Sequence, residues 1–390
     1  MIIRHVDQQI STHFAKYKEV LILLGARQVG KTTLLNRIFP SAKYLNAETE
    51  PVRRMLERFD PASYQEFFNE NDNLVIVDEV HKLSDPGRAI KIIYDQLPKF
   101  KLIITGSSAF TIKNKTSESM AGRKINYHLY PLTLSEYLVQ RNLEATLSFS
   151  PLKKIITQTL PKEILKPYDH KSILDTILIY GLYPAIISHP RDAMYLKNLV
   201  DSVIFKDLTE LSLLENKTAA LSLLKLLAYQ IGSLVNYAEL SSRLGISAVT
   251  VKRYIELFEL SFILFTVKPY STNQRDEIGK MTKIYFHDLG LRNALIENFQ
   301  PIESRGDAGA LFENFIITEL YKYNSYGDYG YHFNYWRTKS GSEVDLILSK
   351  SDGTLLAIEI KSKSRRINKA FQLRYPESKN IVVSKDTYWV

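Results

Sequence analysis

The sequence predicts an α/β protein of more than one domain, and three observations support this fold class. The chain has 390 residues, which exceeds what one hydrophobic core usually organises, so two or three domains are expected. In the first third, short apolar runs alternate with stretches of helical spacing, a pattern typical of a parallel sheet with crossover helices. After about Lys283, strand-like and helical patterns mix again, which predicts a second α/β domain.

Composition narrows the possible functions. Lys and Arg number 51 and Asp and Glu number 42, so the net charge is +9. This excess suits a partner rich in phosphate, although a merely soluble basic surface is equally compatible with it. The absence of cysteine excludes disulfides, thiolate zinc sites and cysteine nucleophiles. No apolar run approaches the roughly 20 residues that span a bilayer, so we expect a cytoplasmic protein without membrane contact.

The N-terminal elements are predicted from apolar runs and their breaks. Val20–Leu24 is a continuous apolar run that ends at a loop bounded by glycines, and Lys31–Ile38 resumes with helical spacing. Leu74–Val77 and Leu102–Thr105 are two further buried-strand candidates. Residues 131–214 are mostly helical in pattern. The first segment therefore reads as strand, loop and helix, followed by more strands of the same sheet.

The loop after the first strand fits the pattern G-x-x-x-x-G-K-[ST] at every fixed position. Its glycines let backbone N–H groups turn toward phosphate, Lys31 reaches the β- and γ-phosphates, and the Thr32 hydroxyl can bind Mg²⁺. In a strand–loop–helix context a chance match is uncommon. The sequence therefore predicts an ATP site formed by Gly25, Ala26, Arg27, Gln28, Val29, Gly30, Lys31, Thr32 and Thr33.

Two acidic residues follow the second apolar strand. Asp78 and Glu79 come directly after Leu74–Val77, where an Asp can hold the Mg²⁺ and an adjacent Glu can polarise the attacking water. Such a pair is ordinarily a solvated strand end, but after a P-loop it becomes a second nucleotide-site motif. We predict Thr32 and Asp78 as Mg²⁺ ligands and Glu79 as a catalytic residue.

Two later residues are predicted to complete the nucleotide site. Ser107 belongs to Thr105–Ser108 at the end of the third strand, where a hydroxyl commonly positions the attacking water; a plain turn is an equally good alternative. Arg123 can deliver a guanidinium to the γ-phosphate of a neighbouring subunit, because a fixed cation offsets the charge that develops there. An isolated arginine is otherwise most often a surface residue.

Residues 237–258 have the length and spacing of a helix-turn-helix. A glycine opens the turn, a serine suits the N-cap of the second helix, and Lys252 and Arg253 can face a DNA backbone. The apolar run Phe262–Val267 would then be the wing. Modules of this kind also serve in packing and protein contacts, so both uses stay open.

A hairpin near the C-terminus is predicted to bring acidic and basic residues together. Val344–Leu348 and Leu355–Lys361 are apolar strands separated by Ser-Asp-Gly, a hairpin signal. Folding back places Asp345 within about one residue of Glu359 across the ladder, and alternation puts Glu359 and Lys361 on one face. Hard oxygen ligands select Mg²⁺ or Mn²⁺, and a lysine can help activate a water that attacks a phosphodiester. The alternative is a charged hairpin end without a metal.

This set resembles the PD-(D/E)XK nuclease core. The resemblance implies that Asp345, Glu359 and Lys361 are catalytic, with the two carboxylates as metal ligands. Glu313, on a helix before the hairpin, matches a further acidic ligand of such nucleases but could equally be a capping or solvated residue, and Val344 stands where the name of the motif has proline. A basic run that suits DNA backbone contact follows: Lys361, Lys363, Arg365, Arg366, Lys369 and Arg374.

Several motifs follow one another along nearly the whole chain: Gly25–Thr33, Val77–Glu79, Thr105–Ser108, Ala121–Arg123, Pro131–Glu136, Gly181–Pro184, Tyr285–Asp288 and Glu343–Asp345. Their order resembles that of the bacterial and archaeal AAA-fold ATPases with a C-terminal restriction-endonuclease-like domain. The resemblance implies ATP hydrolysis, homo-oligomers in which Arg123 acts between subunits, and DNA as the partner. The implied architecture is an N-terminal P-loop AAA-type parallel sheet with helices, a helical lid, a winged helix and a restriction-endonuclease-like α/β domain.

We accordingly predict four domains: an AAA-type P-loop ATPase at 1–135, a helical lid or connector at 136–218, a winged helix-turn-helix at 219–270 and a PD-(D/E)XK nuclease-like domain at 271–390. The leading hypothesis is an ATP-hydrolysing protein that acts on DNA and carries a Mg²⁺-dependent nuclease-like domain. The alternative is a nucleotide-gated DNA- or protein-binding switch whose nuclease fold is not catalytic. A third hypothesis, without nucleic acid, is an ATP-dependent assembly or signalling protein.

Overall fold

The computed structural model describes residues 2–68, 73–107, 120–144, 147, 151–157, 169–205, 214–271, 281–338, 340–361, 369–386 and 388. They fall into two compact units. The first comprises Met1–Tyr130 and short segments that begin at Ser202 and Leu260, and the second comprises the rest of the chain. The middle helices and the helix-turn-helix thus group with the C-terminal strands. Each unit contains one sheet flanked by helices, which confirms the predicted mixed α/β fold class.

A five-stranded parallel sheet organises the first unit, with the order β2-β3-β4-β1-β5. Strand β1 is buried at every position, as expected for a parallel strand covered on both faces. The strands are β1 (Val20–Leu24), β2 (Lys43–Asn46), β3 (Leu74–Asp78), β4 (Lys101–Gly106) and β5 (Lys124–His128). The helices are α1 (Asp7–Ser11), α2 (His13–Lys16), α3 (Lys31–Ile38), α4 (Glu50–Leu56), α5 (Pro61–Phe67) and α6 (Pro86–Gln96), with a 3₁₀ turn at Val80–Lys82.

The register of this sheet determines which residues share an edge. Leu24 of β1 lies beside Gly106 of β4, and Val77 of β3 lies beside Ile104 of β4. Because all the strands run in the same direction, the residues that follow β1, β3 and β4 meet at the carboxyl edge of the sheet. The P-loop, Asp78 and Ser107 therefore lie at one edge.

Helices come first in the second unit, and a six-stranded sheet follows. Its helices are α7 (Leu134–Gln140), α8 (Pro151–Thr157), α9 (His170–Tyr180), α10 (Ala185–Ser188), α11 (Ala193–Val200), α12 (Lys217–Tyr229), α13 (Tyr237–Leu244), α14 (Ala248–Leu260), α15 (Leu289–Leu295), α16 (Ala308–Gly327) and α17 (Lys369–Arg374). Its strands are β6 (Leu264–Pro269), β7 (Lys283–Phe286), β8 (His332–Arg337), β9 (Glu343–Ser349), β10 (Leu355–Lys361) and β11 (Lys379–Ser384).

The order of the second sheet is β11-β10-β9-β8-β6-β7. Strands β8, β9 and β10 form an antiparallel meander, and β11 joins β10 in parallel after α17. The run Phe262–Val267, predicted as the wing, overlaps β6, which pairs antiparallel with β7 and in parallel with β8. The apolar side chains of β6 are largely buried.

One junction in the second unit joins two of the recognised motifs. The Asp288 carboxylate caps α15 by accepting a hydrogen bond from Leu291 N at 2.9 Å, and it accepts another from Leu182 N at 2.6 Å. Gly181 has φ 74°, and a Cβ there would lie 2.3 Å from Asp288 Oδ1. The glycine is therefore required by this close approach. Among the described residues, no helix combines the length and the apolar character needed to cross a bilayer.

Candidate functional site

The predicted phosphate-binding loop lies at the carboxyl edge of the first sheet, between β1 and α3. Gly25 packs against the segment after β5. A Cβ atom at position 25 would lie 2.2 Å from the Leu129 carbonyl oxygen. Gln28 and Gly30 have left-handed backbones, with φ 58° and 99°. Alternation of this kind lets successive N–H groups converge on an anion. The loop thus has the backbone of a phosphate cradle.

Lys31 begins α3 and is 5% exposed. Its Nζ donates hydrogen bonds to the carbonyl oxygens of Gly25, at 2.8 Å, and Ala26, at 3.0 Å. These bonds satisfy a buried ammonium, which would otherwise be costly. They hold the charge inside the loop that is predicted to bind phosphate.

Arg4 supports the loop from outside and was not identified from the sequence, because an isolated arginine carries no motif. It is 4% exposed. One Nη donates to the Val29 carbonyl at 3.1 Å and the other donates to the Tyr130 carbonyl. The arginine thus ties the P-loop to the end of the sheet.

The remaining predicted loop residues have different surroundings. Ala26 and Val29 are buried and Thr33 is exposed. Arg27 forms an ion pair with Glu48 at 3.7 Å. The Gln28 amide donates to the Ser202 hydroxyl at 2.8 Å. The side chains of Arg27 and Gln28 therefore make contacts outside the loop, whereas Lys31 Nζ is bonded to its backbone carbonyls.

The two predicted Mg²⁺ ligands are in direct contact. Thr32 Oγ1 donates a hydrogen bond to Asp78 Oδ2 at 2.8 Å. The hydroxyls of Tyr44 and Thr105 also donate to the Asp78 carboxylate. A hydroxyl beside a fixed carboxylate offers the hard oxygen ligands that Mg²⁺ prefers. These residues therefore fit a Mg²⁺–nucleotide complex.

Glu79 follows Asp78 in a left-handed conformation with φ 52°. Its N–H donates to Thr105 Oγ1 at 3.2 Å. Its carboxylate lies beside His81, with 3.1 Å between Oε2 and Nδ1, and the His81 side chain is only 7% exposed. A non-glycine residue held at positive φ commonly marks a functional position. His81 is thus a direct neighbour of the predicted catalytic acid.

Ser107 comes directly after β4 and is 1% exposed. Within the described part of the chain, its hydroxyl is buried without a hydrogen-bond partner. A buried hydroxyl without a partner is costly unless a ligand or water satisfies it. Its place beside the P-loop edge makes a bound nucleotide or water the natural partner. Ser108, the neighbouring residue of the motif, lies outside the described residues.

Arg123 lies at the opposite edge of the sheet from the P-loop. Its carbonyl accepts from Val20 N at 2.9 Å, and the next residue, Lys124, pairs with Val20. The five-residue strand β1 separates this edge from the loop by about 17 Å at roughly 3.3 Å per residue. The guanidinium is a third exposed and donates to Asp95 Oδ1 at 3.0 Å. This placement keeps Arg123 away from the predicted phosphate site of the same chain.

The C-terminal hairpin brings three predicted residues together. Asp345 on β9 and Glu359 on β10 each place a carboxylate oxygen 3.7 Å from Lys361 Nζ. The same Asp345 oxygen accepts a hydrogen bond from Ile360 N at 2.7 Å. The antiparallel register, in which Ile358 pairs with Leu346, produces this arrangement. Two carboxylates and an ammonium thus converge on one face.

Glu313 on α16 has different partners. Tyr285 donates its hydroxyl to Glu313 Oε1 at 2.7 Å, and Lys283 Nζ lies 3.5 Å from the same oxygen. Lys283 also contacts Glu343 Oε1 at 2.5 Å. Lys283 was not identified from the sequence, because it belongs to no motif and begins an otherwise apolar strand. The structure therefore pairs Glu313 with a buried lysine and a tyrosine.

Burial and charge shift the pKa values in this group. Burial raises the pKa of Glu313, and the Lys283 ammonium offsets only part of that effect. Burial alone would lower the pKa of Lys283, but the carboxylates of Glu313 and Glu343 outweigh it and raise the pKa. Burial followed by the Glu313 charge raises the pKa of Tyr285 well above its usual value. Lys283 therefore stays an ammonium and Tyr285 stays a phenol.

The donor set at the hairpin fits one divalent cation better than a larger cluster. Asp345 and Glu359 supply hard oxygen ligands close together. Across the described residues, no group of three or more histidine, aspartate and glutamate side chains is arranged to hold a metal. The predicted third acid, Glu313, is held by Lys283 and Tyr285.

The residues predicted as a helix-turn-helix form α13 and α14, with Gly245 at φ 64° between them. The basic residues predicted to face DNA have acidic partners: Lys252 lies 4.0 Å from Glu256, and Arg253 lies 3.1 Å from Glu215. Each side chain is exposed, so the pairs can open, but they reduce the positive potential of the helix. Of the basic run after Lys361, only Lys369 and Arg374 are among the described residues; Lys363, Arg365 and Arg366 lie outside them.

Comparison with family models places the nucleotide site in a known domain type. Residues 17–138 match the model described as an AAA domain. Residues 171–301 and 308–387 match two models described as domains of unknown function, DUF8612 and DUF4143. The first unit thus has an AAA-type P-loop ATPase fold.

Relatives match over most of the chain. It is 25% identical to an uncharacterized protein of Methanocaldococcus jannaschii over 95% of this chain and 81% of that protein. It is 21% identical to an uncharacterized protein of Haemophilus influenzae over 99% of this chain and 94% of the relative. Among solved structures, a Walker-type ATPase of Pyrococcus abyssi aligns with a TM-score of 0.48 and 14% identity, covering 74% of this chain and 94% of that one.

Proposed function

We propose that the first unit binds ATP with Mg²⁺ and hydrolyses it. The observation that carries this proposal is the hydrogen bond between Thr32 and Asp78, which brings the two predicted Mg²⁺ ligands into contact. The match of residues 17–138 to an AAA domain supports the same activity.

Each residue of the site has a role in this proposal. Bound Mg²⁺ would supply charge neutralisation at the phosphates. The Lys31 ammonium exchanges its loop carbonyls for β- and γ-phosphate oxygens. Glu79 accepts a hydrogen bond from the attacking water and orients it. The buried Ser107 hydroxyl gains a partner in that water or in the γ-phosphate.

We further propose that Arg123 completes the site of a neighbouring subunit in a homo-oligomer. Its place at the edge opposite the P-loop supports this role, because an arginine there has no route to its own phosphates. The guanidinium would leave Asp95 and offset the charge on the transferred phosphoryl group. A monomer would then lack one component of the active site.

The direct test is phosphate release from ATP by the full chain, compared with Lys31→Ala and Glu79→Gln. Lys31→Ala should abolish nucleotide binding, whereas Glu79→Gln should bind ATP and hydrolyse it about 100-fold or more slowly. Lys91→Ala, on an exposed position of α6, is the matched control and should behave like the parent. Equal hydrolysis by the parent and Lys31→Ala would show that the activity comes from another protein.

A second proposed activity is metal-dependent cleavage of DNA by the second unit. It is supported by the convergence of Asp345, Glu359 and Lys361 at 3.7 Å and by the succession α16-β8-β9-β10-α17-β11 around them. In this proposal the carboxylates would hold one Mg²⁺ or Mn²⁺, which would make a water more acidic. Lys361 orients that water toward the phosphodiester.

Cleavage of single- and double-stranded DNA with Mg²⁺ or Mn²⁺ tests this second activity. Asp345→Asn and Lys361→Ala should each lose it, and Asp352→Asn in the exposed turn of the same hairpin should keep it. If the parent does not cut DNA but binds it in an ATP-dependent way, the non-catalytic switch is the correct function. If no salt-sensitive DNA affinity exists, an assembly or signalling role without nucleic acid is favoured.

A further inference from the structure

Lys283 reaches the acidic region from the far edge of the second sheet. The carboxylates of this region belong to Glu313, Glu343, Asp345 and Glu359. It begins β7, whereas Glu343 lies on β9, and β6 and β8 stand between those strands in the sheet order. Its side chain is 5% exposed, and its Nζ lies 5.6 Å from the centre of the Tyr335 ring. The ammonium reaches Glu343 at 2.5 Å and Glu313 at 3.5 Å. The long side chain of Lys283 thus extends along the sheet and places its ammonium between two carboxylates.

The Lys283 ammonium compensates the negative charge of neighbouring carboxylates, as a bound metal ion does in other acidic clusters. Carboxylates that are withdrawn from water need a compensating cation, because an unpaired buried charge is costly. Lys283 supplies that cation to Glu313 and Glu343. Tyr285 adds a hydrogen bond to the same oxygen of Glu313 that Lys283 approaches. That oxygen is therefore engaged twice without a metal.

Asp345 and Glu359 have an ion-pair partner of their own in Lys361, whose Nζ is 3.7 Å from each of them. The charge of Asp345 also acts on Lys283 and Glu313, so the two parts of the acidic region are neighbours. The Lys361 side chain is 38% exposed, so it can move aside when an ion arrives, whereas the buried Lys283 cannot leave without exposing its partners to repulsion. The acidic region thus contains one cation fixed by the fold and one that is displaceable.

We propose that Lys283 is a built-in cation of the C-terminal site. Its ammonium fills the place between Glu313 and Glu343 that a metal ion would otherwise take, and it leaves Asp345 and Glu359 to bind a single divalent ion. Glu313 is then a partner of Lys283 and not a metal ligand. The single-ion part of this inference rests on the proposed function of the hairpin, whereas the role of Lys283 does not.

The first experiment measures Mn²⁺ affinity by calorimetry in nucleotide-free, full-length protein. Lys283→Met should bind Mn²⁺ about tenfold or more tightly than the parent, because the carboxylates lose their fixed counter-charge. Lys283→Arg keeps the charge and should match the parent. Unchanged Mn²⁺ affinity in Lys283→Met would overturn the proposal.

The second experiment measures thermal unfolding of the same variants. Lys283→Met should unfold at a lower temperature than the parent without metal, and millimolar Mn²⁺ should recover most of that loss. Addition of Glu343→Gln to Lys283→Met should remove the recovery, because one of the two carboxylates that would hold the ion is gone. Recovery of the double variant to the same extent would also overturn the proposal.

A third comparison does not depend on the folding of Lys283→Met. Asp345→Asn should weaken Mn²⁺ binding, and Glu313→Gln should leave it within about twofold of the parent. If both substitutions weaken Mn²⁺ binding equally, Glu313 is a metal ligand and the proposed role of Lys283 is wrong. If the Mn²⁺ affinities are as expected but the parent does not cleave DNA, the result would count against the nuclease proposal alone.

Discussion

The hydroxyl of Thr32 donates a hydrogen bond of 2.8 Å to the carboxylate of Asp78. This contact joins the start of α3 to the end of β3, with β4 between β1 and β3 in the sheet order. Tyr44 and Thr105 hold the same carboxylate from other sides. The predicted Mg²⁺ position is therefore surrounded by residues of α3, β2, β3 and β4.

We expect Thr32→Ala to raise the Mg²⁺ concentration needed for half-maximal ATP hydrolysis by about tenfold or more, because one oxygen ligand is lost. Thr32→Ser keeps the hydroxyl and should resemble the parent. A Mg²⁺ titration of the hydrolysis rate measures the effect. The same Mg²⁺ requirement in Thr32→Ala would show that this hydroxyl does not bind the ion.

Mixing two inactive variants tests the position of Arg123. Arg123→Ala retains its P-loop, and Lys31→Ala retains its arginine, so a mixed oligomer contains some complete sites between subunits. We expect each variant alone to hydrolyse ATP about 1,000-fold more slowly than the parent. Their mixture should recover a measurable share of the parent rate. A mixture as slow as Arg123→Ala alone would contradict a role between subunits.

Replacement of Gly181 by alanine tests the junction with Asp288. The new Cβ would lie 2.3 Å from Asp288 Oδ1 and 2.4 Å from Gly290 N, at φ 74°. We expect the free energy of unfolding to fall by about 3 kcal/mol or more, from overpacking and the left-handed backbone together. Gly353→Ala, at φ 87° with nothing within 4 Å of the new atom, should lose only about 1 kcal/mol. Urea unfolding measures both, and equal losses would rule out the steric explanation.

Asp307 gives a prediction for acid stability. Burial alone would raise its pKa, but hydrogen bonds from Arg305, at 2.8 Å, and Arg292, at 2.6 Å, lower the pKa to about 2. A carboxyl whose folded pKa is depressed stabilises the fold above its unfolded pKa, here 3.8, and loses that contribution as pH falls toward 2. The parent should therefore exceed Asp307→Asn in urea midpoint at pH 6. The difference should shrink between pH 4 and pH 2, and a difference that grows on acidification would contradict the assignment.

Local patterns in the sequence predict the part of the fold that depends on neighbours in the chain. The continuous apolar run of β1 and the glycine-bounded loop after it identify the strand, the P-loop and the start of α3. The hairpin signal between β9 and β10 likewise predicts the approach of Asp345 and Glu359. In each case the spacing within a short segment fixes which side chains share a face.

Contacts between segments that are far apart in the chain produce no local pattern in the sequence. Tyr44 and Arg4 support the nucleotide site from isolated positions, and a single tyrosine or arginine has many equally good locations on a surface. Lys283 meets Glu343, which lies 60 positions later in the chain. The parallel pairing of β6 with β8, which joins the predicted wing to the C-terminal strands, is a further contact that no local pattern predicts.

Strand β5 connects two predicted site positions at its opposite ends. Arg123 precedes it at one edge of the sheet, and Leu129 follows it at the other. There the Leu129 N–H donates to the Leu24 carbonyl at 2.7 Å, and the Leu129 carbonyl oxygen would lie 2.2 Å from a Cβ atom at position 25. A β-strand that is hydrogen-bonded along its length to β1 is stiff. In the proposed homo-oligomer, β5 would therefore link the position of Arg123 to that of the phosphate-binding loop in the same chain.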